Sequence, residues 1–147
     1  MDFSRGDVQL STDPSRLDVA LIHRYLSEES YWAKGVPRAV VERSIAGSLC
    51  FGLHRGGAQI GFARVITDRA TFAWLADVFV VPAERGKGLS KWLLEQILSH
   101  PDLQGLRRFL LGTLDAHGLY AQFGFKPLGE PGRFMERLER DVYQRRP

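Results

Sequence analysis

Val78-Phe-Val-Val-Pro-Ala-Glu-Arg-Gly-Lys-Gly-Leu-Ser-Lys91 reads as a strand that enters a glycine turn and opens a helix. The β-branched and aromatic run stops at Pro82, which has no N–H for a sheet ladder. Past the turn, Leu89, Trp92, Leu93, Ile97 and Leu98 recur at helical spacing toward His100-Pro101. Gly86 and Gly88 let the backbone approach a ligand closely, with N–H groups at the positive end of the helix. Arg85, Lys87 and Lys91 add charge around it, so the turn suits a phosphate. Two common phosphate loops do not fit. Gly88 follows Lys87 where a Walker A loop needs Ser or Thr, and Lys91 stands at the third glycine of a dinucleotide turn.

Upstream, Leu49–Arg55 and Ala58–Thr67 flank Gly56-Gly57, a hairpin signal. A turn at Asp68-Arg69 leads into a long strand from Thr71 to Val81, completing an antiparallel meander. Val8–Ser11 is a short strand. Asp13 caps a helix with Pro14 at its first position, running to about Glu28. Ser30–Gly35 is a loop, and Pro37 opens a second helix to about Ala46. Downstream come a strand at Arg107–Thr113, a short helix at Leu119–Phe123, a strand beginning at Phe125–Pro127, and a hairpin partner at Phe134–Leu138. The polar tail Arg140–Pro147 is expected to fray. The order is that of an α/β protein.

The chain has 147 residues, 44% apolar and 25% charged, so residues 1–147 are expected to form one domain. A chain of this size buries about 70% of its unfolded surface and needs no staples. The net charge of +3 comes from 20 basic and 17 acidic residues; 16 of the basic ones are Arg. Arg favours phosphate, but these are interleaved with Asp and Glu, so nucleic acid is not an expected partner. Cys50, the single cysteine, excludes an internal disulfide and, sitting in an apolar run, reads as an inert buried thiol. His23, His54 and His100 have no second ligand at a useful spacing, so no metal is expected. The N-terminus lacks the apolar core of a signal peptide, and no stretch is long enough for a membrane span. A cytoplasmic location without membrane contact is the expectation.

Two motifs carry a family resemblance. Val80–Gly88 has the pattern V-x-P-x-x-R-G-x-G, and Ala116–Phe125 has A-x-x-L-Y-x-x-x-G-F. In that order, with a strand between them, they resemble the GNAT superfamily, the general control-type N-acetyltransferases, over nearly the whole chain. The resemblance implies a mixed, mostly antiparallel central sheet with helices on both faces. It also implies an acetyl-CoA-dependent N-acetyltransferase that acts by direct attack of a primary amine, on a small molecule or a peptide, in a ternary complex. The turn Arg85, Gly86, Lys87, Gly88, Leu89 and Ser90 would hold the coenzyme A pyrophosphate. Phe79, Val80 and Val81 would pair with the pantetheine arm, and an N–H near Val80 would polarise the thioester. Tyr120 falls where the family places a tyrosine that protonates the departing thiolate. Ala83 replaces the family's usual Gln or Arg, Thr113 a frequent Asn, and Ser90 a third glycine. A non-catalytic acyl-CoA-binding module on the same fold is the alternative. Members often dimerise, and the strand edge near Phe134–Leu138 could serve a homodimer.

Asp77 and His117 are the candidates for general base. Strict alternation groups Asp77 with Phe79 and Val81, and Trp74 with Ala76, Val78 and Val80, unless a bulge re-aims Asp77. Asp115 reads as the cap of the short helix. Tyr31, Trp32 and Trp74 would line the acceptor pocket, and such walls suit an amine on an apolar or aromatic body.

Overall fold

The computed structural model describes residues 2–144. Its strands are β1 (Asp2–Arg5), β2 (Val8–Ser11), β3 (Leu49–Arg55), β4 (Ala58–Thr67), β5 (Phe72–Val80) and β6 (Arg108–Leu111). They form one sheet in sequence order, antiparallel throughout except for the parallel β5–β6 pair. The meander β3–β5 lies within a residue of its sequence reading. The buried apolar residues of β2 to β5 fix the register, since a slip of one residue would turn each to the opposite face.

Helices cover both faces. On one, α3 (Leu89–Ser99) buries Leu89, Trp92, Leu93, Leu94 and Ile97 against Leu10, Phe51, Val65 and Leu75. On the other, α1 (Val19–Arg24) and α2 (Arg38–Ala46) bury Ile22 and Val41, with Cys50, Phe62 and Phe79 completing that core. Alternation along β3 explains the split, since Leu49, Phe51 and Leu53 go one way and Cys50 the other. Each fully buried Leu, Ile or Phe contributes about 1.5–3 kcal/mol by leaving water.

Four departures from the sequence reading have physical causes. The helix expected from Asp13 to Glu28 is divided. Asp13 caps only a 3-10 turn at Pro14–Arg16, and Asp18 caps a new start by accepting the Leu21 N–H at 3.0 Å. A π-turn, Tyr25–Glu29, then closes it. Strand β1 was not expected; it pairs with β2 through a turn at Gly6 (φ +62°) and Asp7. The strands expected at Phe125–Pro127 and Phe134–Leu138 do not form. That stretch carries Pro127, Gly129, Pro131 and Gly132, and a strand without a paired edge has no ladder to hold it. Finally, Ala116 rather than Asp115 occupies the N-cap of α4 (His117–Ala121), and Thr113 Oγ1 accepts the Ala116 N–H at 3.0 Å.

Arg140–Gln144 forms turns, and Tyr143 packs against the core beneath α1 and α2. The rest of the expected tail, 145–147, lies outside the described residues.

Candidate active site

A bulge in β5 builds the site. Phe62 pairs with Phe79 and Arg64 with Ala76, so Ala63 alone faces Asp77 and Val78. Asp77 takes a left-handed backbone (φ +55°), which costs a non-glycine residue about 1–2 kcal/mol. The extra residue switches the parity of the strand. Ala73 and Leu75 belong to the α3 core, and beyond the bulge Val80 does too, while Phe79 joins the α1–α2 core. The expected grouping of Trp74 with Val78 and Val80 is therefore corrected. Trp74 lies on the same face as Asp77.

The Asp77 carboxylate is fully engaged. Trp32 Nε1 donates to Oδ1 at 2.8 Å and Arg64 Nε donates to Oδ2 at 2.8 Å. Arg64 also donates to Ser48 Oγ at 3.1 Å, tying the bulge to the end of α2. Tyr31 stands edge-on to Trp32 (5.0 Å, 83°), and its hydroxyl accepts the Leu114 N–H at 2.8 Å. These residues surround a recess of about 770 Å³ that also includes Trp74, Val78 and Tyr120. The five residues Tyr31, Trp32, Trp74, Asp77 and Tyr120 thus come together from three separate segments.

The recess exists because β5 and β6 part. They pair only over Phe72–Leu75 and Arg108–Leu111, and among the described residues β5 has no strand partner on that side from Ala76 to Val80. The Val81 N–H is committed to the Ile60 carbonyl at 2.9 Å on the β4 side. Successive backbone groups alternate sides, so the Val80 N–H points to the open edge. The Val80 carbonyl points there too and accepts from Arg85 Nε at 3.0 Å. Gly61 keeps β4 close behind, since a methyl there would sit 3.1 Å from the Phe79 carbonyl and 2.9 Å from Leu53.

At the end of this edge the chain turns through Gly86 (φ +79°) and Gly88 (φ +76°) into α3. No side chain caps α3, so the first N–H groups of this 11-residue helix face outward unpaired within the helix. A methyl at Gly86 would meet nothing within 4 Å, and one at Gly88 would meet only the Arg5 guanidinium, at 3.9 Å. The cradle is open, donor-rich and positive, and it fits a phosphate group. Its cations differ in availability. Arg85 turns inward, donating also to the Tyr25 hydroxyl at 2.8 Å, and Tyr25 stacks on Phe79 at 4.0 Å. Lys87 pairs with Glu84 at 3.0 Å, and Glu84 also holds Arg55 at 3.0 Å. Arg5, from the unexpected strand, donates to the Gly88 carbonyl at 3.5 Å. The Gly6-Asp7 pair is the hairpin signal that would have brought Arg5 into the sequence reading.

Tyr120 is 9% exposed and stands edge-on to Phe125 at 6.0 Å. Burial, with a smaller contribution from Tyr31, raises its phenol above the usual value. His117 does not line the recess; it opens with Tyr120 onto a neighbouring cavity of about 420 Å³. A larger groove of about 940 Å³ beside Arg107–Phe109 contains none of the expected site residues. Cys50 is buried and its thiol is pushed up to about 12 by that burial. Among the described residues, no three His, Cys, Asp or Glu side chains form a group that could hold a metal, and no helix is long and apolar enough to cross a membrane.

This architecture, a sheet parted beside a glycine turn, defines an acetyltransferase-type fold, and the comparisons agree. The acetyltransferase (GNAT) domain family model matches residues 46–127. The Gibberella zeae protein FG08082, named as an acetyltransferase, is 35% identical over 143 residues, covering 82% of this chain and 80% of its own. A crystal structure of a Xanthomonas campestris protein assigned to the GNAT family is 55% identical, with a TM-score of 0.92 over 95% of this chain and 99% of that one. A Clostridium acetobutylicum acetyltransferase crystallised with acetyl-CoA shares the fold at 14% identity, with a TM-score of 0.61 over 89% of this chain and 94% of its own. The chain belongs to the GNAT acetyltransferase family.

Proposed function

We propose that the protein is an acetyl-CoA-dependent N-acetyltransferase acting on a primary amine in a ternary complex. The observation that carries this reading is the continuous open edge of β5, running from the bulge into the glycine cradle, with Tyr120 on the facing wall. Outward N–H groups at Gly86, Gly88 and the start of α3 would hold the pyrophosphate, with Arg5 beside Gly88 adding positive charge. The Val80 N–H, turned to the open edge, would polarise the acyl carbonyl.

Bound acetyl-CoA supplies the acyl group as a thioester; a C–N bond forms as its C–S bond breaks, and the sulfur takes up one proton. The incoming ammonium must first lose a proton to solvent through the carboxylates of the recess. Tyr120 supplies the proton for the sulfur and regains one from water, while the nitrogen sheds its second proton to solvent as the amide forms, so one proton is released overall. Asp77 is a positioning residue in this scheme, because both its oxygens already accept hydrogen bonds. His117 lies outside the recess, on the neighbouring cavity that Tyr120 also lines, and has no part in this scheme. Calorimetry with acetyl-CoA tests the reading. Binding with one site per chain supports it, and the absence of heat at millimolar acetyl-CoA overturns it.

A further inference from the structure

Tyr31, Trp32 and Trp74 remain 52%, 41% and 37% exposed in one recess, while the two cores bury Tyr25, Phe51, Phe62, Phe79, Trp92 and Tyr120. They are not loose surface residues. Asp77 fixes the Trp32 indole, Leu114 fixes the Tyr31 hydroxyl, and Trp74 stands in the paired part of β5, opposite Ile66 of β4 and Leu110 of β6. Fixed, uncovered aromatic faces form a wall that is already ordered before a ligand arrives.

The charge of the recess is also specific. Asp77 is neutralised by Arg64, at 2.8 Å. That leaves the carboxylates of Asp115 and Glu136 against the single guanidinium of Arg140. Such a lining attracts an ammonium and repels an acceptor that carries phosphate or carboxylate.

We propose that the acceptor is a cationic primary amine carrying a planar aromatic body, which packs on Trp32 and Trp74 while its ammonium is drawn in by Asp115 and Glu136. This rests on the N-acetyltransferase reading and narrows it to one substrate class. Stacking on the indole faces orders the body, and the ring faces also favour the ammonium as it passes. Asp77 serves this recognition indirectly, by holding Trp32 in place.

The test uses the full-length protein, saturating acetyl-CoA and three acceptors: tryptamine, butylamine and glucosamine 6-phosphate. Coenzyme A thiol release gives the rates. The proposal expects kcat/KM for tryptamine to exceed that for butylamine at least about tenfold, with glucosamine 6-phosphate slower still. Trp74→Ala should raise KM for tryptamine about tenfold and bring its kcat/KM to within about threefold of butylamine. Trp32→Phe keeps a ring but loses the indole N–H, and should raise the same KM by a smaller factor. Glu136→Gln should raise KM for tryptamine and ease discrimination against the phosphorylated amine. Acetyl-CoA calorimetry on every variant separates a local effect from unfolding. Equal or faster turnover of butylamine or glucosamine 6-phosphate overturns the proposal and leaves the acetyltransferase reading standing. Normal acetyl-CoA binding without acetylation of tryptamine also overturns it. Loss of acetyl-CoA binding in the unmodified protein sinks the underlying reading instead.

Discussion

Tyr120→Phe removes one oxygen atom from the proposed site and leaves the ring where it is. The ring is 9% exposed and its edge-on contact with Phe125 needs no hydroxyl. Among the described residues, no hydrogen bond holds that hydroxyl. Folding stability should therefore change by no more than about 0.5 kcal/mol. Turnover should respond very differently. Loss of a positioned general acid typically costs about 10²–10⁴ in rate, or about 3–5 kcal/mol of barrier. The expected pattern is a kcat reduced at least about a hundredfold, with acetyl-CoA affinity and thermal midpoint unchanged. Thiol release at saturating amine gives kcat, and calorimetry gives the affinity. The pH profile adds a second reading. Proton donation needs the phenol intact, so activity is lost as pH rises through its pKa. Burial raises that pKa, which places the alkaline limb above the phenol's ordinary value of about 10. A kcat within about threefold of the parent would refute the assignment, and so would a loss of turnover matched by a loss of acetyl-CoA binding.

Gly86→Ala should lower stability by about 1–2 kcal/mol through backbone strain alone, since φ is +79° and a methyl meets nothing within 4 Å; denaturant midpoints check this. Cys50 should resist thiol reagents in the native state and react fully in guanidinium, because burial pushes its thiol up to about 12. Rapid native labelling would contradict that placement. His54 and His100 have their pKa values lowered chiefly by burial, so the unfolded chain binds more protons than the folded one as pH falls below about 6.5. Their contribution is complete at pH 7 and above and is lost on acidification; a urea midpoint that does not fall between pH 7.5 and pH 5.5 would contradict it. Arg5→Ala should raise the acetyl-CoA Kd several-fold at unchanged kcat, an effect that salt should mask.

Periodicity made much of the fold readable. Strands β3 and β4 are mostly apolar runs, buried on both faces, with a Gly-Gly turn between them, so their limits could be read to the residue. Pro82 stopped β5, and the apolar positions of α3 matched its buried face. The site was less readable, because its decisive feature leaves no mark in composition. Leu75-Ala-Asp-Val-Phe79 looks like any half-buried strand, and only pairing with Ala63 makes Asp77 an extra residue. One insertion then moves Trp74 across the sheet relative to Val80. Asp18 similarly starts the helix afresh within apolar spacing that ran on through it, since a local cap outweighed continuation. Phe134–Leu138 had suitable residues for a strand but pairs with none of the six, and pairing is a property of the whole sheet.

The ion pairs behind the glycine cradle link it to the far end of the chain. Asp7 bonds Arg55, Arg55 bonds Glu84, Glu84 holds Lys87, and Arg5 reaches Gly88. The opening hairpin is thus a brace for a loop some eighty positions later in the sequence. Trimming the first seven residues would remove both its attachment points at once. A shortened protein could keep its cores and its aromatic recess and yet hold its phosphate-bearing partner in a slacker grip, so the N-terminus is a poor place to cut.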